Sequence, residues 1–174
     1  MNVNFDVSFD RVLKSEGGYV NDPADHGGET NLGVTIGAWG EYLGRAIQPG
    51  EMKALTKDAV KPFYKAMYWD KARCDDLPTG VDYAVFDFAV NAGVTRAAKL
   101  LQRSVGADDD GVIGSVTLAL VKKTTPGKLL ENFTEQKEAF YNTLAERNPT
   151  QQKFLKGWMN RVASVQTAAT SMMA

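Results

Sequence analysis

Apolar side chains recur at intervals of three and four residues along most of the chain, the pattern of helices that bury one face. The spacing predicts helices over about 8–14, 35–45, 56–68, 78–91, 95–105, 127–146 and 150–168. Ser, Thr or Pro at the start of several of these segments supplies a helix-starting residue. We therefore predict a mainly α protein of about six to eight helices.

One predicted helix, Pro78–Asn91, carries apolar residues on almost every side. A helix that is apolar all round is a buried helix. We expect this segment, about 78–92, to be the central helix around which the others pack. Asp87 and Asn91 lie one turn apart within it, so they either satisfy each other's polar groups or line a cleft.

The bulk composition is that of a globular protein with a substantial core. The 174 residues are 44% hydrophobic and 24% charged, which is ordinary for a soluble domain. Lys and Arg number 20 against 21 for Asp and Glu, so net charge gives no reason to expect a nucleic-acid partner. No run approaches eighteen apolar residues, and stable membrane insertion is not expected.

Cysteine and histidine are too scarce for several kinds of chemistry. Cys74 and His26 are the single residues of their types, which excludes an intramolecular disulfide and argues against a zinc site. Cys74 is expected to be a half-buried structural thiol. The aspartates at 108–110 lack the alternating ligands and distal Glu of a calcium loop and predict a turn. We expect neither a metal nor an organic cofactor.

Candidate chemistry is concentrated in the twenty residues of Glu16–Thr35, EGGYVNDPADHGGETNLGVT. Glu16 is predicted to lie at a helix C-terminus, where the helix dipole disfavours its charged form and should raise its pKa. Asp25 follows in a loop, where it should stay ionised. Two carboxyls in such different environments can divide the acid and base roles of glycoside hydrolysis.

The same stretch resembles the signature of the family 108 glycoside hydrolases, which are phage endolysins and bacterial secretion-associated muramidases with a lysozyme-like fold. The resemblance implies that Glu16 is the catalytic acid. The wider phage-type lysozyme pattern continues with an Asp and a Thr, and Asp25 fits its spacing. Thr30 arrives after four intervening residues instead of five. The predicted catalytic set is thus Glu16, Asp25 and Thr30.

Further residues are assigned to substrate binding. The resemblance favours a cleft position for Asp87 and Asn91, since related sequences carry an Asp and an Asn in this helix before a Gly. The adjacent aromatics Tyr68 and Trp69 can stack on a sugar ring, although such a pair is more often core packing. The complete predicted substrate-binding set is Tyr19, Asn21, Tyr68, Trp69, Asp87 and Asn91.

A second resemblance covers Ala97–Ala119, which is similar to the small helical peptidoglycan-binding module that follows the catalytic region in family 108 proteins. We therefore predict a lysozyme-like catalytic region at 1–93 and a helical, peptidoglycan-binding-like region at 94–174. No low-complexity linker separates them, so we expect the two parts to pack as one body.

The resemblances imply an N-acetylmuramidase that acts on peptidoglycan glycan strands, as a bacteriolytic phage enzyme or in protein release. The alternatives are a lytic transglycosylase, which needs one catalytic Glu and no water, and a non-catalytic wall-binding or secretion accessory protein. The N-terminus lacks the basic and apolar regions of a signal peptide. We expect a monomer, made in the bacterial cytoplasm, that reaches the cell wall in the periplasm through a holin or another export route.

Overall fold

The computed structural model describes residues 3–21 and 28–174. Within these ranges the chain forms eight α-helices: α1 Val3–Leu13, α2 Ile36–Leu43, α3 Lys57–Tyr64, α4 Val81–Ala92, α5 Val94–Val105, α6 Ser115–Lys123, α7 Pro126–Arg147 and α8 Leu155–Met173. The one described sheet is an antiparallel hairpin of β1 (Thr30–Asn31) and β2 (Val34–Thr35). The predicted mainly α fold is confirmed. Across these described residues, no helix combines the length and apolarity needed to cross a membrane.

The chain divides into two compact units, Met1–Met67 and Tyr68–Ala174. The sequence prediction instead places a boundary between residues 93 and 94. The difference concerns α4, which packs against α5, α7 and α8. A helix with apolar residues on every side needs several neighbours to cover it, and in this chain the C-terminal helices supply them.

Aromatic rings build the core of the N-terminal unit. The ring of Phe9 on α1 lies 5.4 Å from that of Tyr64 on α3, and Trp39 on α2 lies 5.8 Å from Phe63, centroid to centroid. All four side chains are buried. Contacts of this kind add to the stabilisation from apolar burial, and they fix where the end of α3 lies relative to α1.

Two helices of this unit begin at threonine N-caps, and one of them is followed by a π-helical segment. The side chains of Thr35 and Thr56 accept hydrogen bonds from the backbone N–H groups of Ala38 and Ala59, as N-caps do. Beyond α3 the chain continues as a π-helical turn, Lys65–Trp69. The predicted helix over 56–68 is therefore an α-helix followed by a π-helical segment, a feature that residue spacing does not reveal.

The C-terminal unit has α4 at its centre, with every residue from 81 to 89 buried. This confirms the predicted central helix. Cys74, in a short 3-10 turn at Cys74–Asp76, has no exposed surface. The expectation of a half-buried thiol is thus corrected to a fully buried one.

A buried charged cluster lies where α4, α7 and α8 meet. Asp87 forms an ion pair with Arg161, with 2.8 Å between Oδ1 and Nη2. Lys137 is only 3% exposed and lies beside the rings of Phe88 and Phe133. Burial lowers the pKa of Lys137 to about 8, and the nearby negative charge of Asp87 only partly opposes that shift.

The Lys137 shift predicts how stability changes in alkaline solution. In the folded protein Lys137 is buried and charged below about pH 8. In the unfolded chain the same amine keeps its proton up to its ordinary pKa of 10.5. The contribution of Lys137 to the free energy of unfolding should therefore increase between about pH 8 and pH 10.5, by about 3 kcal/mol at most. Lys137→Met should be more stable than the wild type at pH 7, and that advantage should shrink as the pH rises.

Urea unfolding of both proteins at pH 7, 9 and 10.5 measures the effect, because other titrating groups cancel in the difference. A stability difference that does not change with pH would contradict the assignment.

Candidate active site

Glu16 lies directly after α1, as the sequence predicts. The chain leaves the helix through two tight backbone hydrogen bonds, from Ser15 N to Val12 O at 3.0 Å and from Glu16 N to Leu13 O at 3.1 Å. Its side chain is half-buried. The carboxyl group is therefore carried on the end of a helix that is itself packed into the unit.

The turn of the β1–β2 hairpin lies against the Glu16 carboxyl group. A Cβ atom placed on Gly33 would lie 2.7 Å from Glu16 Oε2 and 2.5 Å from Tyr64 Oη. Both distances are shorter than real Cβ contacts, so any side chain at this position must displace one or both groups. Gly33 also has a φ of 75°, a conformation that side chains other than glycine adopt at a cost.

A hydrogen bond from α3 stabilises the strained backbone of this turn. Leu32 has a φ of 51°, so two consecutive residues are left-handed, as in the tightest hairpin turns. A leucine is rarely found in this conformation. Tyr64 Oη donates a hydrogen bond to Leu32 O at 2.8 Å, and the tyrosine is 1% exposed. The buried end of α3 thus holds the turn that contacts Glu16.

Thr30 is positioned through its backbone on both sides. It exchanges two hydrogen bonds with Val20, at 2.8 and 2.9 Å, and pairs with Thr35 across the hairpin. The segment that follows Glu16 therefore runs alongside β1. A role for Thr30 in holding water remains a prediction.

Tyr19 and Glu29, which lie on either side of Asp25 in the sequence, are joined by a hydrogen bond. Tyr19 Oη donates to Glu29 Oε1 at 2.5 Å, and this hydrogen bond is the main reason that the pKa of Tyr19 is raised. Lys53 Nζ lies 5.9 Å from the centre of the Tyr19 ring. Asn21 is exposed. Asp25 itself falls within 22–27, outside the described residues, so its predicted role stays a prediction.

Trp69 belongs to the core of the C-terminal unit and not to an open surface. It has no exposed area, its ring lies 5.4 Å from that of Phe86, and its Nε1 donates to Asp75 Oδ1 at 2.5 Å. Stacking on a sugar requires an exposed ring face, so the assignment of Trp69 to substrate binding is corrected. Its neighbour Tyr68 is half-buried.

Asp87 and Asn91 follow the first of the two alternatives that the sequence left open. Asp87 is 3% exposed and paired with Arg161. Asn91 Nδ2 donates to the Asp87 backbone oxygen at 2.9 Å and lies 3.4 Å from its Oδ2. The cleft assignment of Asp87 is corrected, because its carboxylate is occupied within the unit. Asn91 is exposed.

The sequence prediction assigned no role to two residues near Glu16. Gly33 lies against its carboxyl group, and Tyr64 holds the turn that contains Gly33. The local signal was weak, since the turn is a Leu-Gly pair at 32–33 and not one of the Asn-Gly or Asp-Gly pairs typical of hairpins.

Known proteins resemble this chain in both sequence and structure. Residues 9–93 match Glycosyl hydrolase 108, and residues 96–163 match a family described as Predicted Peptidoglycan domain. The structure of SagA from Brucella abortus is 39% identical in sequence, with a TM-score of 0.85, over 99% of this chain and 97% of that one. The chain belongs to glycosyl hydrolase family 108. Among curated proteins, none matches it significantly.

Membership in family 108 makes the protein a glycoside hydrolase, and the second match supports peptidoglycan as its substrate class. The resemblance noted from the sequence is thereby confirmed. Hydrolysis of a glycosidic bond requires a positioned proton donor. Glu16 is half-buried, and its carboxyl group lies against the left-handed hairpin turn; its role as that donor remains a prediction.

Proposed function

We propose that this family 108 hydrolase is an N-acetylmuramidase, which cleaves the β-1,4 bond between N-acetylmuramic acid and N-acetylglucosamine in peptidoglycan. The observation that carries the proposal is the position of Glu16, a half-buried residue at the end of α1 whose carboxyl group lies against Gly33 in the turn that Tyr64 holds. A turn fixed in this way keeps the neighbouring proton donor in one orientation. We place the reaction in phage lysis or in release of protein from the cell.

The proposed mechanism gives each catalytic residue a separate step. Glu16 protonates the oxygen of the leaving sugar. Asp25 orients the attacking water or stabilises the positive charge that develops on the sugar ring, and Thr30 helps to hold that water. A separation of about 6.5–9.5 Å between the two carboxyl groups corresponds to inversion, and about 5 Å corresponds to retention.

Fragment masses from purified peptidoglycan test the proposal. We expect fragments with hydrated reducing ends. Borohydride reduction should convert the new ends to muramicitol, because cleavage by a muramidase leaves muramic acid at the reducing end. Anhydro ends would instead identify a lytic transglycosylase, reduced glucosamine ends a glucosaminidase, and an absence of fragments a non-catalytic wall protein.

We further propose that the protein is monomeric and acts on the wall in the periplasm after release by a holin or another export route. Peptidoglycan as substrate supports that location, since the polymer lies outside the inner membrane. Release of a tagged chain into the periplasm of intact cells, with and without a holin, tests the route.

A further inference from the structure

A groove of about 530 Å³ lies along α5 and α7 in the C-terminal unit. Three arginines line it, Arg96 and Arg103 from α5 and Arg147 from α7. No acidic side chain is among its lining residues. The groove is therefore a concave surface with a concentrated positive charge, within a chain whose net charge is only −1.

The lining residues place positive charge on both helices of the groove. Arg96 and Arg103 are seven residues apart on α5, two helical turns, and so share a face. Phe140 and Arg147 have the same separation on α7. Gln136 and Thr143 add polar groups between the charged ends. The result is a polar groove with a cation at each end and an aromatic ring inside.

Two of the arginines are held in place while keeping donors available. Arg96 Nη1 donates to Ala92 O at 3.1 Å, and its guanidinium carbon lies 5.1 Å from the centre of the Phe140 ring. Arg103 pairs with Asp109, and both side chains are about half exposed, at 50% and 43%. A guanidinium group has five N–H donors, so one such contact leaves several for a ligand.

Arg147 has a different environment. It is exposed at the last turn of α7, and no hydrogen bond or ion pair is found for it among the described residues. A cation is favourable at a helix C-terminus. This accounts for a positive residue in the last turn of α7, but not for the position of Arg147 in the wall of the groove.

The position of Arg96 opposes local stability. It lies in the first turn of α5, where the helix dipole disfavours a cation, and that turn has no acidic residue to offset it. A bound anion removes this penalty.

We propose that this groove binds the free carboxylates of the peptide stems of peptidoglycan. The proposal rests on the proposed function, which supplies the polymer. Guanidinium groups bind carboxylates through paired hydrogen bonds. Gln136 and Thr143 can bond to the amide groups of the stem, and Phe140 can cover its aliphatic part. In this arrangement the N-terminal unit cleaves the glycan while the C-terminal unit holds the stem.

Binding of peptidoglycan strands to the full chain tests the groove. All proteins carry Glu16→Gln, so that the strands are not cut during the measurement. The probes are soluble strands with intact stems, the same strands with stem carboxyls amidated, strands with stems removed by an amidase, and a teichoic acid as a phosphate polymer. Arg103→Gln/Arg147→Gln is the test variant. The matched control is one double variant with the same charge change at exposed lysines on α6, Lys122→Gln/Lys123→Gln.

The test variant should bind intact strands about tenfold more weakly, and the lysine control within about twofold of the parent. Amidation of the carboxyls or removal of the stems should weaken the parent by a similar factor and leave the test variant little changed. Equal binding by parent and test variant would overturn the proposal, as would undiminished binding of stem-free strands or a preference for teichoic acid. Thermal unfolding verifies that each variant is folded.

Failure of the muramidase proposal would appear elsewhere. It is read from the ends that the wild-type chain releases from peptidoglycan, a measurement that uses none of the groove variants. Stem binding without new muramic acid ends would retain the groove and reject the activity, and the reverse result would reject the groove alone.

Discussion

Replacing Glu16 by glutamine should abolish peptidoglycan hydrolysis while the protein stays folded. The amide has nearly the shape of the carboxylic acid, so the contact with the hairpin turn at Gly33 is kept, but it cannot give a proton to the leaving sugar oxygen. General acid catalysis contributes about a hundredfold to ten-thousandfold in rate, so the loss should be at least a hundredfold. Release of reducing ends from purified peptidoglycan measures it.

The matched control for this variant is Glu41→Gln. Glu41 is an exposed carboxylate on α2 in the same unit, and its replacement removes the same charge without touching the hairpin. We expect that control to hydrolyse at close to the wild-type rate. If Glu16→Gln kept even a tenth of normal activity, Glu16 would not be the proton donor.

Gly33→Ala should also reduce hydrolysis strongly, although residue 33 has no reactive side chain. The new methyl group would lie 2.7 Å from Glu16 Oε2 and 2.5 Å from Tyr64 Oη, so the carboxyl or the turn must move. Displacement of a reacting group by about 1 Å can lower a rate about a hundredfold. We expect a loss of tenfold to a hundredfold by the same reducing-end assay.

Backbone strain has to be separated from this displacement, and Gly44→Ala does so. Gly44 ends α2 with a φ of 67°, close to the 75° of Gly33, but a Cβ there would meet nothing within 4 Å. Both variants should lose about 1–2 kcal/mol of stability from the left-handed conformation, and only Gly33→Ala should lose activity. Equal activity in the two proteins would show that the turn does not position Glu16.

Most of the helical fold could be predicted because its determinants are local. The threonines at 35 and 56 start helices through hydrogen bonds to residues three positions ahead, which a reader of the sequence can locate. The apolar surface of α4 likewise shows in its own residues. Its neighbours could not be predicted, and so the division of the chain into units fell elsewhere than expected.

The site was only partly predictable, because its supports are distant in sequence. Glu16 could be placed at a helix end from the pattern around it. Tyr64, which holds the turn beside it, lies almost fifty positions further along, and no periodicity links the two. The hairpin strands have two residues each, too few to show the alternation that marks a strand.

Trp69 shows how a residue type can mislead. An aromatic pair next to an aspartate is compatible with a sugar site and with a core. Burial distinguishes the two, and in the structure Trp69 is buried against Phe86 and hydrogen-bonded to Asp75. The groove arginines are the opposite case, since their spacing on α5 and α7 was visible, but the pairing of those two helices was not.

The complete burial of Cys74 provides a natural probe of motion. As the chain's single thiol, it can react with a labelling reagent only when the surrounding helices separate far enough to admit it. The rate at which the native protein consumes such a reagent therefore reports how often the C-terminal unit opens. That readout requires no substrate, no engineered label and no denaturant.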